Sequence, residues 1–170
     1  RAVLTFTVAR EEAKRLPGET IPLDLNQVSE GRFGIVRRFP IGPILGITPF
    51  NFPLNLVAHK VAPALASGNS IIVKPSLRTP LTSLILGEIA LDAGVPKGGL
   101  NVVPCSNEVT HRFVADDRLK MITFTGSTEV GWDLKSKAGK KRVTLELGGN
   151  AAAIIDDGTD LDYAVKKLTT

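Results

Sequence analysis

The 170-residue sequence contains one cysteine and two histidines. A single cysteine excludes an intrachain disulfide framework and any cysteine-based zinc cluster. His59 and His111 stand far apart in sequence, which argues against a histidine metal centre, so no metal is expected. Aromatic residues are only 5% of the chain, which leaves little for bases to stack on and speaks against a nucleic-acid partner. No apolar run approaches the roughly 20 residues of a membrane span, and no signal peptide is visible. No membrane partner is therefore expected, and the chain reads as cytoplasmic. Excess charge is also scarce, because 21 Lys and Arg face 17 Asp and Glu for a net +4. The basic cluster Lys135, Lys137, Lys140, Lys141, Arg142 falls at the end of a predicted helix, where cations suit the negative end of the dipole.

What remains is the composition of a globular domain, 43% hydrophobic and 22% charged, long enough to remove about two-thirds of the unfolded surface from water. The chain begins at Arg1, inside a helical pattern, and reads as an excerpt from a longer polypeptide. Ala2 to Leu16 is expected as an amphipathic helix closed by Pro17-Gly18. Thr20 to Leu25 and Gly34 to Pro40 are expected as two strands of a long ribbon, which is marginal alone and needs another surface to lean on.

From about residue 44, short apolar strands alternate with helices. Strands are expected at 44–48, 70–75, 100–103, 121–124, 143–147 and 152–155. Helices are expected at 55–67, 80–93, 107–115 and 127–138, with a last one from near Asp160. Thr79 reads as the N-cap of the second of these, with Pro80 at its first position. Strands joined through helices imply an α/β fold, a parallel sheet flanked by helices with the antiparallel ribbon added. The expected division is a helix over 1–19, the ribbon over 20–43 and an α/β domain over 44–170.

Ligands of such sheets bind outside the carboxyl ends of the strands, so the residues just after each strand matter most. After the first comes Thr48-Pro49-Phe50-Asn51-Phe52-Pro53, stiffened by two prolines. There Asn51 reads either as an amide donor to a developing oxyanion or as a turn former. After the second comes Lys74-Pro75-Ser76, where the ammonium reads as a phosphate or ribose ligand or as a surface charge. After the fourth comes Gly126-Ser127-Thr128 at a helix start, which suits a pyrophosphate or is simply a capped helix. It is neither a GxGxxG nor a GxxxxGK[ST] motif. After the fifth, Glu146 stands between leucines before Gly148-Gly149. It is expected to be partly desolvated, as a general base requires, or else is a glutamate at a sheet edge.

The ordered runs ITPFNFPL (47–54), PALASGN (63–69), KPS (74–76), FTGSTEVG (124–131) and LELGGN (145–150) resemble the aldehyde dehydrogenase superfamily over essentially the whole chain. That resemblance implies a Rossmann-like sheet for NAD or NADP and an oligomerisation arm in the ribbon, hence a homo-oligomeric parent enzyme with an aldehyde substrate. In the family a cysteine thiolate attacks the aldehyde, hydride passes to NAD(P)+, and water hydrolyses the thioester. By resemblance, Asn51 donates to the oxyanion and Glu146 activates the hydrolytic water. Lys74 binds the adenosine ribose, Ser76 is a further cofactor-binding residue, Gly126 and Ser127 lie against the pyrophosphate, Thr48, Pro49 and Phe50 wall the cleft, and Gly148 sits beside the nicotinamide.

Three departures stand out. Leu77 occupies the position where many NAD-preferring members carry a glutamate, and Arg78 follows it, which favours tolerance of NADP. Phe50 stands where tryptophan is commoner. The family's nucleophilic cysteine follows the glutamate by a few tens of residues, and no cysteine follows Glu146 here. Cys105 follows the third strand and is expected as a packed or pocket-lining thiol, and His59 and His111 as structural side chains. The chain by itself is therefore expected to be inactive, with a non-catalytic nucleotide-binding or oligomer-forming module as the alternative. Acyl-CoA-forming relatives are disfavoured by the presence of Glu146, and a Ser-His-Asp hydrolase has no supporting motif.

Overall fold

The computed structural model describes residues 1–16 and 18–169. Helix α1 (Ala2–Ala13) lies along α2 and buries no residue of its own completely. It stops earlier than the expected Leu16, because the amides of Lys14 and Arg15 turn back to Glu11 and Glu12. Pro17 lies outside the described residues. Strands β1 (Glu19–Pro22) and β2 (Phe33–Val36) pair antiparallel, Glu19 opposite Val36 and Pro22 opposite Phe33. Between them Asn26 Oδ1 caps a single turn of 3-10 helix, Gln27–Ser29, by accepting from Val28 and Ser29. The ribbon is shorter than the sequence pattern suggested. It has no core: Ile21, Phe33 and Ile35 are all exposed.

The remaining strands are β3 (Ile44–Ile47), β4 (Ile71–Lys74), β5 (Leu100–Val102), β6 (Met121–Thr125) and β7 (Arg142–Glu146). They form one parallel sheet in the order β5-β4-β3-β6-β7. The intervening helices are α2 (Asn55–Ala66), α3 (Leu81–Asp92), α4 (Asn107–Ala115) and α5 (Thr128–Lys137), and α6 (Leu161–Leu168) closes the chain. This is the Rossmann-like architecture expected, with the strand order reversing between β3 and β6.

Side-chain alternation sorts the sheet into two faces. On one, Leu45, Ile47, Ile122 and Phe124 pack with Val114, Leu119 and Leu134 under α4 and α5. On the other, Ile44, Ile71 and Val73 pack with Val57, Val61 and Leu86 under α2 and α3. No described helix covers the second face over β7, whose Arg142, Thr144 and Glu146 are exposed.

Several boundaries have visible causes. Gly68 (φ 75°) and Gly94 (φ 81°) end α2 and α3 in left-handed turns, as their positions in the sequence suggested. Asp160 caps α6 by accepting from the amides of Asp162 and Tyr163. The basic residues near the end of α5 are engaged locally: Lys137 bonds Asp133, Lys135 lies over Trp132, and Lys141 faces Asp117. Two expectations fail. Thr79 does not cap α3, because Pro80 holds that place and the Thr79 hydroxyl turns to another loop. Residues 152–155 form no strand, and Ile154 is 96% exposed. An apolar run becomes a strand only when a neighbour pairs with it, and β7 leaves its outer edge unpaired.

Gly126 is dictated by the core. A Cβ there would stand 2.5 Å from Cζ of the Phe124 ring, which is itself buried. A Cβ at Gly149 would meet open space. Gly126→Ala should therefore destabilise the chain by about 1–3 kcal/mol through overpacking, while Gly149→Ala stays within about 0.5 kcal/mol. Urea denaturation of both variants checks this, and equal effects would contradict the packing argument.

Candidate functional site: a cleft at the strand-order reversal

Where β3 and β6 lie side by side, the chain leaves them in opposite directions, and the loops that follow them open a cleft. It has a volume of about 690 Å³, within the range of small-molecule and cofactor sites. The loop after β3 contributes Thr48, Pro49 and Phe50, the end of β4 and its turn contribute Lys74 and Ser76, and the loop after β6 contributes Thr125, Gly126 and Ser127. Every residue expected on cofactor grounds thus meets in one cleft, except Gly148. That glycine is exposed beside the first turn of α5, its Cβ position 3.7 Å from Thr128 Oγ1.

The local causes can be named. Lys74 is buried because β4 is an interior strand, and its ammonium donates to Asn107 Oδ1 at 3.2 Å. Ser76 accepts from the Arg78 amide, which tightens the turn after β4. Ser127 is the residue at which α5 begins, yet its side chain makes no capping bond. The free amides of that first turn therefore remain available to an anion, with the positive end of the helix dipole behind them. Thr48 Oγ1 is buried and unpartnered. Such an atom asks for a hydrogen-bond partner, and it lies in the wall of the cleft. A nucleotide carrying hydroxyls and a pyrophosphate fits these groups.

The second wall was not anticipated. Helix α4 brings Asn107, Thr110 and His111 to the cleft, and α5 brings Glu129, Val130 and Asp133. Helical spacing in the sequence could have paired 107 with 110–111, but nothing local said which face of α4 looks into the cleft. Cys105 does not line it. Its Sγ stands 3.8 Å from Thr110 Oγ1, as a packed thiol.

Asn51 and Glu146 lie outside this cleft's walls, and both are exposed. For Glu146 this corrects an expectation. It ends an edge strand on the uncovered sheet face, so flanking leucines do not desolvate it. Its Oε2 accepts a 2.8 Å bond from Thr125 Oγ1. That hydroxyl in turn accepts from Lys60 Nζ at 2.8 Å, and Lys60 also donates to Thr123 Oγ1 at 3.2 Å. Lys60 is a functional candidate the sequence reading passed over. It is only 6% exposed, and burial pushes its pKa down to about 8, against the opposing pull of the Glu146 carboxylate. Its stem crosses β3 at Gly46, where a Cβ would stand 3.5 Å from Lys60 Cδ and 3.2 Å from Ile71 Cδ1. A helical Lys beside a Gly fourteen positions earlier carries no sequence signal, because the meeting depends on how α2 lies on the sheet.

A second open cleft of about 750 Å³ adjoins this line on the uncovered face, between Lys60, Thr123, Arg142 and Thr144. The Lys60 ammonium thus bonds one threonine facing each cleft. Among the described residues no group of histidine, cysteine and carboxylate side chains could hold a metal ion. No described helix is long and apolar enough to cross a membrane.

Comparison with known proteins finds a matching family and the same fold. The model of the aldehyde dehydrogenase family matches residues 1–170. A 3-sulfolactaldehyde dehydrogenase of Priestia aryabhattai is 42% identical over 170 residues, which cover 99% of this chain and 36% of the relative. The crystal structure of aldehyde dehydrogenase 21 from Physcomitrella patens, in complex with the reaction product succinate, superimposes with a TM-score of 0.90 at 52% identity. That match covers 98% of this chain and 35% of the other. An NADP-dependent glyceraldehyde-3-phosphate dehydrogenase from Bacillus halodurans, complexed with NADP, superimposes with a TM-score of 0.89 at 37% identity, covering 97% of this chain and 35% of that one. The chain therefore spans about a third of the length of these relatives.

The buried Lys60 makes a pH prediction. Its folded pKa, about 8, lies below the ordinary 10.5, so between these values the unfolded chain binds more protons. The Lys60 contribution to stability must then rise with pH across that window, by up to roughly 3 kcal/mol. Below pH 8 both states are charged and the contribution is constant. Urea denaturation of the wild-type chain and Lys60→Met from pH 7 to 10 should show the difference growing in favour of the wild type. A flat difference would show that Lys60 is not buried as a cation.

Proposed function

This chain belongs to the aldehyde dehydrogenase family, and from that footing we propose that it is the cofactor-binding part of an enzyme that oxidises an aldehyde to a carboxylic acid with NAD+ or NADP+. The observation that carries the proposal is the single cleft at the β3–β6 reversal, where Thr48, Lys74, Ser76, Gly126 and Ser127 converge on the open first turn of α5. The cofactor, when bound, supplies the hydride acceptor.

This chain's own residues do the rest. Lys74 and Ser76 hold ribose hydroxyls, and the α5 amides with Ser127 face the pyrophosphate. Gly126 lets the backbone approach closely because nothing projects from it. Pro49 and Phe50 wall the cleft, and Gly148 leaves the space beside the nicotinamide open. Asn51 offers its side-chain amide to the oxyanion that develops on the substrate carbonyl. Glu146 takes a proton from water. Thr125 and Lys60 orient that carboxylate through two consecutive 2.8 Å hydrogen bonds. The exposed apolar ribbon, with Phe33, Ile35 and Ile21 uncovered, is the surface through which copies would associate, as a dimer or tetramer.

One observation favours a narrower role for the 170 residues themselves. The only thiol, Cys105, faces Thr110 and not the bonded line from Lys60 to Glu146. The chain should then bind cofactor and perform no turnover. Isothermal titration with NAD+ and NADP+ should show binding, and incubation with an aldehyde should produce no NAD(P)H absorbance. Absence of binding would remove the nucleotide reading, and reduction of cofactor would remove the inactive one.

Cofactor choice follows from the turn after β4. Leu77 is exposed there, and residues 76–79 include no carboxylate to repel a 2′-phosphate. NADP+ should accordingly be tolerated, and an intrinsic preference for NAD+ of tenfold or more would count against this. Leu77→Glu should move the affinity ratio toward NAD+ by about tenfold or more through like-charge repulsion, as titration with both cofactors would show.

A further inference from the structure

The loop that carries Asn51 is strained and externally held. Phe52 has φ 46°, the one positive value outside glycine among the described residues. A bulky side chain at that angle crowds its own backbone and persists only where its surroundings overdetermine it. On one side the Phe52 carbonyl accepts from the Leu56 amide at 3.0 Å, which ties it to the start of α2. On the other side the restraint comes from a different loop. Thr79 Oγ1 donates to the Phe50 carbonyl at 3.3 Å, and the Arg78 guanidinium lies 4.7 Å over the Phe50 ring. Those two residues are themselves rigid, because the Thr79 amide closes a turn onto the Ser76 carbonyl at 3.1 Å and the Arg78 amide bonds Ser76 Oγ. Asn51 sits between the two restraints and is exposed.

We propose that Thr79 and Arg78 are positioning residues: from the turn after β4 they clamp Phe50 and so hold the left-handed turn that presents the Asn51 amide. The inference rests on the reading of Asn51 as the oxyanion donor for its purpose, though not for its geometry. It explains why the Thr79 hydroxyl is absent from the helix cap that its sequence position suggests. It also gives the two ends of the site a mechanical link. Ser76, on the cofactor side, anchors the same turn that fixes the loop on the carbonyl side.

The test is amide hydrogen exchange of the 170-residue chain by NMR, read at Leu56, whose bond reports on Phe52, and in the mobility of the Asn51 side-chain amide. Thr79→Val should speed exchange at Leu56 by about fivefold, the worth of one neutral hydrogen bond, and broaden or shift the Asn51 signals. Thr79→Ser keeps the hydroxyl and should stay within twofold of wild type. Phe52→Asn combined with Thr79→Val should recover near wild-type protection, because asparagine tolerates the left-handed region and needs no clamp. The proposal is overturned if Thr79→Val leaves Leu56 unchanged, if Thr79→Ser acts as strongly as Thr79→Val, if the double variant shows no recovery, or if exchange rises equally throughout β3 to β6. No ligand enters this experiment, so failure of the cofactor reading would appear separately, in the nucleotide titrations of the wild-type chain.

Discussion

The pairing of β3 with β6 is the constraint on which the rest of the structure hangs. These strands are distant in sequence, and their parallel register sets Ile44 opposite Met121 and Ile47 opposite Phe124. The pairing reverses the strand order, which places the loops after both strands beside each other and opens the cleft. It also sets Gly46 opposite Thr123, so that the Lys60 stem can pass over a strand that has no side chain there. One register therefore creates both the cleft at the strand-order reversal and the hydrogen-bonded line to Glu146. A shift by one residue would turn Thr123 and Thr125 to the other face and dissolve that line.

Two kinds of polar group surround this junction, and they behave differently. Lys74 and Lys60 are both buried beside the sheet, and burial lowers the proton affinity of Lys60 against the opposing pull of Glu146. Lys74 ends its strand at the cleft, with the Asn107 amide oxygen as partner. Lys60 instead spends its charge on two neutral hydroxyls, and the nearest opposite charge acts through one of them. A hydroxyl that accepts from an ammonium becomes a better donor to a carboxylate, which is how a buried cation can steady an exposed carboxylate.

Much of the architecture was legible in the residues. Glycines at 68 and 94 announced helix ends, Asp160 announced a helix start, and short apolar runs separated by helical lengths implied a parallel sheet. The positions after those strands, marked as the place for ligands, line a cleft in the structure. Where reading failed, the missing information was non-local. Ala152 to Ile155 has the composition of a strand, but a ladder needs a partner. Leu145 and Leu147 flank Glu146, but burial depends on what covers the face, and nothing among the described residues does. Thr79 has the chemistry of a cap, but a hydroxyl takes the nearest acceptor, and the fold brings it the Phe50 carbonyl.

The sequence by itself determined the fold class, the order of the elements and the family, because backbone preferences, turn residues and apolar periodicity act over a few residues at a time. That Thr48, Lys74, Ser76, Gly126 and Ser127 would share a cleft was also readable, since they follow strands of one parallel sheet. Only the tertiary structure decided that Lys60 reaches Thr125 across Gly46, that α4 supplies the second wall, and that the loop bearing Asn51 is held by a turn more than twenty residues further on. Those are contacts between segments that carry no mark of one another, and it is the register of β3 against β4 and β6 that brings them within hydrogen-bonding distance.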